Sequence, residues 1–280
     1  MEFKTLENTA LETVHEAFVD AFSDYQVKMD LPFWKFQNMM KRRGFTPELS
    51  MGAFSEERLV GFVLNGYRIH GGKRTVYDMG TGVVKDFRRQ GITTRILEEL
   101  EALLKENHVE QYLLEVLQVN TSAFELYQKQ GFQITRGLNC YKLSKDLAAL
   151  EKKHEVIRKK TEQWEFETSF WDFMPSWQNS TDSIHALEEA FSYAQVFEGE
   201  ELVGYGVIDT LTGDIPQLAV KKTHRRKGIG SSILKDLLEQ TEAKQGVFLN
   251  VEDTMESVIA FLMKSGAENT VDQYEMIKGL

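Results

Sequence analysis

Apolar positions at the start of the chain fall into two periods. A short alternating stretch at Phe3–Leu6 predicts a strand. Leu11, Val14, Phe18, Ala21 and Phe22 then recur at helical spacing. Pro32 suits the start of a second helix carrying Phe33, Trp34, Phe36, Met39 and Met40, with Gly44 to stop it. Strand signals follow at Met51–Phe54, Leu59–Gly66 and Thr75–Val84, separated by turn residues at Ser55–Arg58 and Gly71-Gly72. After Arg88-Arg89-Gln90-Gly91 the period returns to helical with Ile92, Ile96, Leu97, Leu100, Leu103 and Leu104. A strand at Tyr112–Leu117, a helix from Thr121 to Gln130 closed by Gly131, and strand character over Phe132–Leu143 complete the run.

The same order recurs further on. The pattern predicts a helix at Ser183–Ala194, strands at Gln195–Glu198, Leu202–Asp209 and Gln217–Val220, and a basic turn at Arg225-Arg226-Lys227-Gly228. A helix with Ile229, Ile233, Leu234, Leu237 and Leu238 comes next, then a strand at Gly246–Val251 and a helix ending before Gly266. Val83-x4-Arg88-x2-Gly91 aligns with Val220-x4-Arg225-x2-Gly228 without a gap, so the chain reads as an internal duplication. The expected organisation is an α/β (α+β) protein of two domains, 1–145 and 164–280. Residues 146–163, charged and free of Gly and Pro, read as a helical connector.

Composition narrows the function. The chain has 280 residues, enough for two domains. A single cysteine, Cys140, excludes an internal disulfide framework, and the six scattered histidines form no metal-binding pair, so no metal is expected. A net charge of −10 argues against a nucleic-acid partner. No apolar run has the length of a membrane span and no signal pattern opens the chain, so a cytoplasmic location is expected.

The repeated turn carries the clearest chemistry. A helix N-terminus presents unpaired N–H groups and partial positive charge, and glycine allows close approach, which together suit a pyrophosphate. Arg225-Arg226-Lys227-Gly228-Ile229-Gly230 fits this well, with Ser231 following. Arg88-Arg89-Gln90-Gly91-Ile92-Thr93, followed by Thr94, fits with Thr93 as its one departure. Here both halves resemble the GNAT superfamily of acetyl-CoA-dependent N-acyltransferases. Its R/Q-x-x-G-x-G/A loop is matched twice, and a second block, Leu114-Glu115-Val116-x3-Asn120-x2-Ala123-x2-Leu126-Tyr127-x3-Gly131-Phe132, matches in the first half. The resemblance implies two tandem domains, each with a mixed, mostly antiparallel sheet that splays near its fourth strand. It implies that loop amides hold the acetyl-CoA pyrophosphate. It also implies that backbone groups near Val83 and Val84, and Val220 in the second half, face the pantetheine arm, and that Asn120 caps a helix beside it.

Acetyl transfer to an amine needs loss of a proton from an ammonium whose reference pKa is ~10.4, donors for an oxyanion, and a proton for the departing thiolate. The resemblance places Glu115 beside the acceptor as candidate base; Tyr127 is the candidate acid, and Tyr141 could line the acceptor site. Asp78 is a weaker alternative base. Counting back from Gly266 as from Gly131, Glu115 becomes Asn250, Asn120 becomes Met255 and Tyr127 becomes Leu262 in the second half; Asn250 and Leu262 cannot perform the same proton transfers. The first half is therefore expected to be catalytic. Asp214 and Tyr274 could supply an unrelated acid–base pair in the second. Cys140, with no His near it in sequence, reads as packing. The leading function is N-acetylation of a primary amine, small molecule or peptide. The alternative is a non-catalytic tandem module that binds coenzyme A. Acceptor specificity is expected from residues 20–45 and the Gly66–Arg74 loop. The oligomeric state stays open, a homodimer included.

Overall fold

The structure, a computed structural model, describes residues 1–24, 31–145, 150–159 and 166–280. Residues 25–30 of the expected acceptor segment, and 146–149 and 160–163 of the expected connector, lie outside these. The chain divides into two compact units. The first comprises 1–116, 120–135 and 275–280; the second comprises 117–119 and 136–274.

In the first unit, β1 (Glu2–Thr5), β2 (Met51–Ser55), β3 (Arg58–His70) and β4 (Lys73–Val83) pair in antiparallel order. Helices α1 (Leu11–Ala21) and α2 (Phe33–Arg43) precede β2. Pro32 stands at the N-cap of α2, and Gly44 ends that helix at φ 74°. After β4 come α3 (Ile92–Glu106), β5 (Gln111–Leu117) and α4 (Thr121–Lys129). Phe18 and Phe36 are buried, as the helical spacing predicts, with the Phe18 ring stacked on Phe62 and tilted against Phe36. β5 runs parallel to β4, and their pairing stops after Thr75–Tyr77 against Gln111–Leu113. Beyond that point the two strands separate.

The next strand, β6 (Gln133–Ser144), starts in the first unit, but residues 136–144 belong to the second. The second unit has β7 (Ile157–Lys159), α5 (Thr181–His185), β8 (Phe191–Glu198), β9 (Glu201–Asp209), β10 (Gln217–Val220), α6 (Ile229–Gln240), β11 (Gln245–Glu252) and α7 (Glu256–Lys264). Strands β10-β9-β8-β7 form an antiparallel sheet, while β11 pairs with the 138–144 part of β6. The last strand, β12 (Glu268–Gly279), makes the reverse crossing, with residues 275–280 belonging to the first unit. There Leu280 N–H bonds to Glu110 O, and Lys278 is paired with Glu101 of α3. The compact units thus differ from the contiguous halves 1–145 and 164–280 by an exchange of closing strands.

Two further expectations are corrected. Residues 150–159 form no helix: Leu150 is buried and Ile157–Lys159 adds a strand to β8. The charges that suggested a solvated helix face are used instead on Asp236 of α6, which is buried and receives Lys152 at 2.7 Å and Arg158 at 2.9 Å. The helix expected over Ser183–Ala194 is only α5. From Phe191 to Val196 every residue is buried, and that run of aromatic and branched side chains is satisfied by a strand with two covered faces.

Candidate active site

Each unit builds the same loop between a strand and a helix. In the first, Lys85–Phe87 makes a single 3-10 turn after β4. Arg89 then takes φ 62° and Gly91 takes φ 75°, and α3 begins at Ile92. In the second, Lys222–His224 makes the turn, Arg226 has φ 64° and Gly228 φ 92°, and α6 begins at Ile229. Among the described residues no side chain caps either helix, so the first-turn amides of Ile92, Thr93 and Thr94, and of Ile229, Gly230 and Ser231, can take an outside acceptor. Among the described residues nothing lies within 4 Å of where a Cβ on Gly91 would stand, so the loop is open to a ligand on that side. Both helices sit close on their sheets: a Cβ on Gly61 would lie 2.8 Å from Ile92, and one on Gly204 would lie 2.8 Å from Ile229.

Several predicted ligand groups are already engaged. The Arg88 guanidinium bonds to Val83 O, to Ala21 O and to both oxygens of Asp24. Arg225 does the same with Val220 O, Phe170 O and Asp172. Val84 N–H bonds to Val60 O and is not available to a pantetheine arm. Asn120 is the N-cap of α4, its side chain accepting from Ala123 N–H at 3.3 Å. Arg89, Gln90, Gly91, Thr93 and Thr94, with Arg226, Lys227, Gly228, Gly230 and Ser231, remain grouped around the loops.

The separation of β4 from β5 holds the titratable groups of the first unit. Tyr127, from α4, donates its hydroxyl to Asp78 Oδ2 at 3.2 Å. The same carboxylate accepts Thr81 Oγ1–H at 2.6 Å and Gly80 N–H at 2.8 Å. Burial pushes the Asp78 carboxyl up to about 6, against the opposing effect of these hydrogen bonds. Glu115, on β5, accepts from Tyr77 Oη at 3.0 Å. Burial first, and then the Glu115 charge, raise the Tyr77 phenol well above its usual range. Tyr112 donates to Asn65 Oδ1 deeper in the core. Glu115 and Tyr127, the predicted pair, therefore each have a separate partner. The Asp78–Tyr127 contact was not anticipated. Its signal was present in Asp78-x-Gly80-Thr81, an Asp followed two and three residues later by local donors. Tyr141 is not at this site; it is buried in the core of the second unit.

The matching gap in the second unit is filled by the chain itself. The segment before β10 meets β11 through an isolated parallel bridge between Asp214 and Val247, and β10 itself does not pair with β11. Asn179, 3% exposed, spans the opening: its Nδ2 donates to Leu249 O at 2.7 Å, and its carbonyl accepts from Gln217 Nε2 at 2.9 Å. Asn250, which replaces Glu115, donates to Ser176 Oγ and accepts from Gln273 Nε2. Cys140 is buried beside it. Next to this unit's loop lies a concavity of about 610 Å³ bordered by Lys153, Arg226, Lys227, Phe261 and Lys264. Among the described residues no group of His, Cys, Asp and Glu gathers to hold a metal ion, and no helix is long and apolar enough to cross a membrane.

The same strand–loop–helix unit thus occurs twice, each time with a left-handed glycine before a helix whose first-turn amides no side chain among the described residues caps. The chain belongs to the acetyltransferase (GNAT) family, whose model matches residues 11–132 and again 158–267. It is a tandem member and an acyltransferase. The structure of a GCN5-related N-acetyltransferase from Sphaerobacter thermophilus aligns with 99% of this chain and 95% of its own, at 13% identity and a TM-score of 0.72. A tandem GNAT protein from the clavulanic acid biosynthesis pathway aligns over 99% and 98%, at 16% identity and a TM-score of 0.72. At these identities the likeness is one of fold. No sequence among the curated proteins matches significantly.

Proposed function

We propose that the first unit transfers the acetyl group of acetyl-CoA to a primary amine, small molecule or peptide, by direct attack. The observation that carries this reading is the contrast between the two gaps. In the first unit the strand separation is lined by Glu115, Tyr77, Asp78 and Tyr127; in the second it is closed by Asn179.

The loop amides from Gln90 to Thr94 and the side chain of Arg89 would take the pyrophosphate. The positive end of α3 adds to the attraction. The amine nitrogen attacks the thioester carbonyl and a C–N bond forms. Glu115 takes the proton from nitrogen, and the C–S bond breaks as the intermediate collapses. Tyr127 gives its proton to sulfur as the thiolate leaves. The proton gained by Glu115 and the one lost by Tyr127 are equalised through water, so the cycle closes without a covalent enzyme intermediate.

The second unit keeps the loop and the concavity beside it but lacks these proton-handling groups. That supports a second role, holding coenzyme A without turning it over. The test is release of free thiol from acetyl-CoA against a panel of amines. Turnover abolished by Gly91→Glu and kept in Gly228→Glu supports transfer in the first unit. Binding of coenzyme A with no turnover against any amine would favour the module reading for the whole chain.

A further inference from the structure

A guanidinium carries five N–H donors in a rigid fork, so what those donors already hold decides what it can still grip. Arg88 spends its Nε on Val83 O at 3.1 Å, one terminal nitrogen on Asp24 Oδ2 at 2.8 Å, and the other on Asp24 Oδ1 at 2.7 Å and Ala21 O at 2.9 Å. No fork face is left for a phosphate. Arg225 repeats the pattern: Nε on Val220 O at 3.0 Å, one terminal nitrogen on Asp172 at 2.6 Å, the other on Phe170 O at 2.9 Å.

The repetition is informative because the segments being gripped are unlike. In the first unit it is the end of α1; in the second it is a single 3-10 turn, Thr168–Phe170. Each time the arginine that opens the glycine loop joins its own strand end to a carbonyl and a carboxylate of an earlier segment of the same unit. The same three partner types, a strand-end carbonyl, a second carbonyl and a carboxylate, recur in both units although the gripped segments differ in secondary structure.

We propose that Arg88 and Arg225 are positioning residues that clasp the loop to the preceding segment, and that neither is a ligand of the acyl carrier's diphosphate. The proposal rests on the reading that the loop binds coenzyme A. Closing the clasp fixes the strand end at Val83 and so the start of the Arg89–Gly91 bend. The bend must hold its two left-handed residues for the amides of α3 to converge on one anion.

The decisive variant is Asp24→Asn, at a half-exposed site where folding is little affected. If Arg88 is a clasp, removing its carboxylate loosens the loop. Coenzyme A then binds more weakly, by roughly 5- to 20-fold in isothermal titration of the full chain carrying Gly228→Glu, so that the first loop alone reports. The KM for acetyl-CoA rises in step while kcat stays within about twofold, and Asp24→Glu recovers most of the affinity. If Arg88 is instead a phosphate ligand, Asp24→Asn releases it, and coenzyme A binds as well or more tightly; that result overturns the proposal. Failure of the underlying reading looks different. Gly91→Glu would then leave coenzyme A binding at the first loop intact, whatever Asp24→Asn does.

Discussion

Tyr127 gives its phenolic hydrogen to Asp78 Oδ2 over 3.2 Å, across the place where β4 and β5 part. The carboxylate is itself fixed by Thr81 and the Gly80 amide, so it holds the phenol oxygen at a set point in the gap. A positioned general acid contributes typically ~10²–10⁴-fold to a rate. Tyr127→Phe keeps the ring contact with Phe132 and removes only the hydroxyl. It is expected to lower kcat by roughly 100-fold or more with little change in the KM for acetyl-CoA. Steady-state kinetics with any accepted amine checks this; a Phe variant at wild-type kcat would remove Tyr127 from the proton path.

Glu115 makes a second kinetic test. It accepts from Tyr77 and lies on β5, past the last paired residues of the gap. Glu115→Gln keeps the shape and the acceptor oxygen but cannot take a proton at neutral pH. The expected result is a kcat loss of roughly 100-fold that is partly relieved as pH rises and more of the amine arrives already neutral. An equal loss at every pH would show that Glu115 does not act as the base.

Asp78 also makes stability depend on pH in a defined sense. Its carboxyl rises from an ordinary 3.8 to about 6 in the folded chain. Between those values the folded state keeps a proton that the unfolded state has released, so stability falls as pH climbs from about 4 through 6. The group's contribution is whole below that window and lost above it. A shift of this size corresponds to on the order of 3 kcal/mol. Asp78→Asn has no such titration. The stability difference between wild type and variant, from urea unfolding at pH 4 to 7, is therefore expected to move against the wild type with rising pH. A difference that stays level would show that Asp78 titrates alike in both states.

Much of this was legible in the chain. The apolar run Leu59–Gly66 and the helical period from Ile92 to Leu104 each serve one local structure, and β3 and α3 contain them. The loops were legible because the left-handed bends need glycine at 91 and 228. The exchange of closing strands was not. The apolar pattern of Gln133–Ser144 says that the segment is a strand but not which neighbour it will pair with, since many edges would bury Leu138, Tyr141 and Leu143 equally well. The charges of 150–159 misled for a related reason: Lys152 and Arg158 look solvated until Asp236 is placed beneath them. In the gap, Asp78 and Tyr127 lie far apart in sequence, and only the fold brings them into contact.

The two loops can be told apart by one substitution each. Gly91 and Gly228 both need positive φ, where another residue costs about 1–2 kcal/mol, and a glutamate there also sets a negative charge against a diphosphate. Gly91→Glu is expected to abolish transfer. Gly228→Glu is expected to leave kcat near wild type while removing one of two coenzyme A binding events in calorimetry. Loss of transfer in Gly228→Glu alone would move the chemistry to the second unit.

Asn179 gives a test of the closed gap that does not depend on activity. Its side chain and carbonyl tie β11 to β10, strands that do not pair directly, at a site with almost no exposure. Asn179→Ala keeps the backbone contact with Gln217 but leaves the Leu249 carbonyl without this donor. A buried acceptor deprived of its hydrogen bond costs about 1–3 kcal/mol. Denaturant unfolding is expected to show a loss of that size, with kcat and the KM for acetyl-CoA unchanged if, as proposed, the first unit carries the reaction. If the variant is as stable as wild type, Asn179 does not brace the opening. If it gains transfer activity that persists with Gly91→Glu in the same chain, the second gap was a site held shut and not a structural remnant.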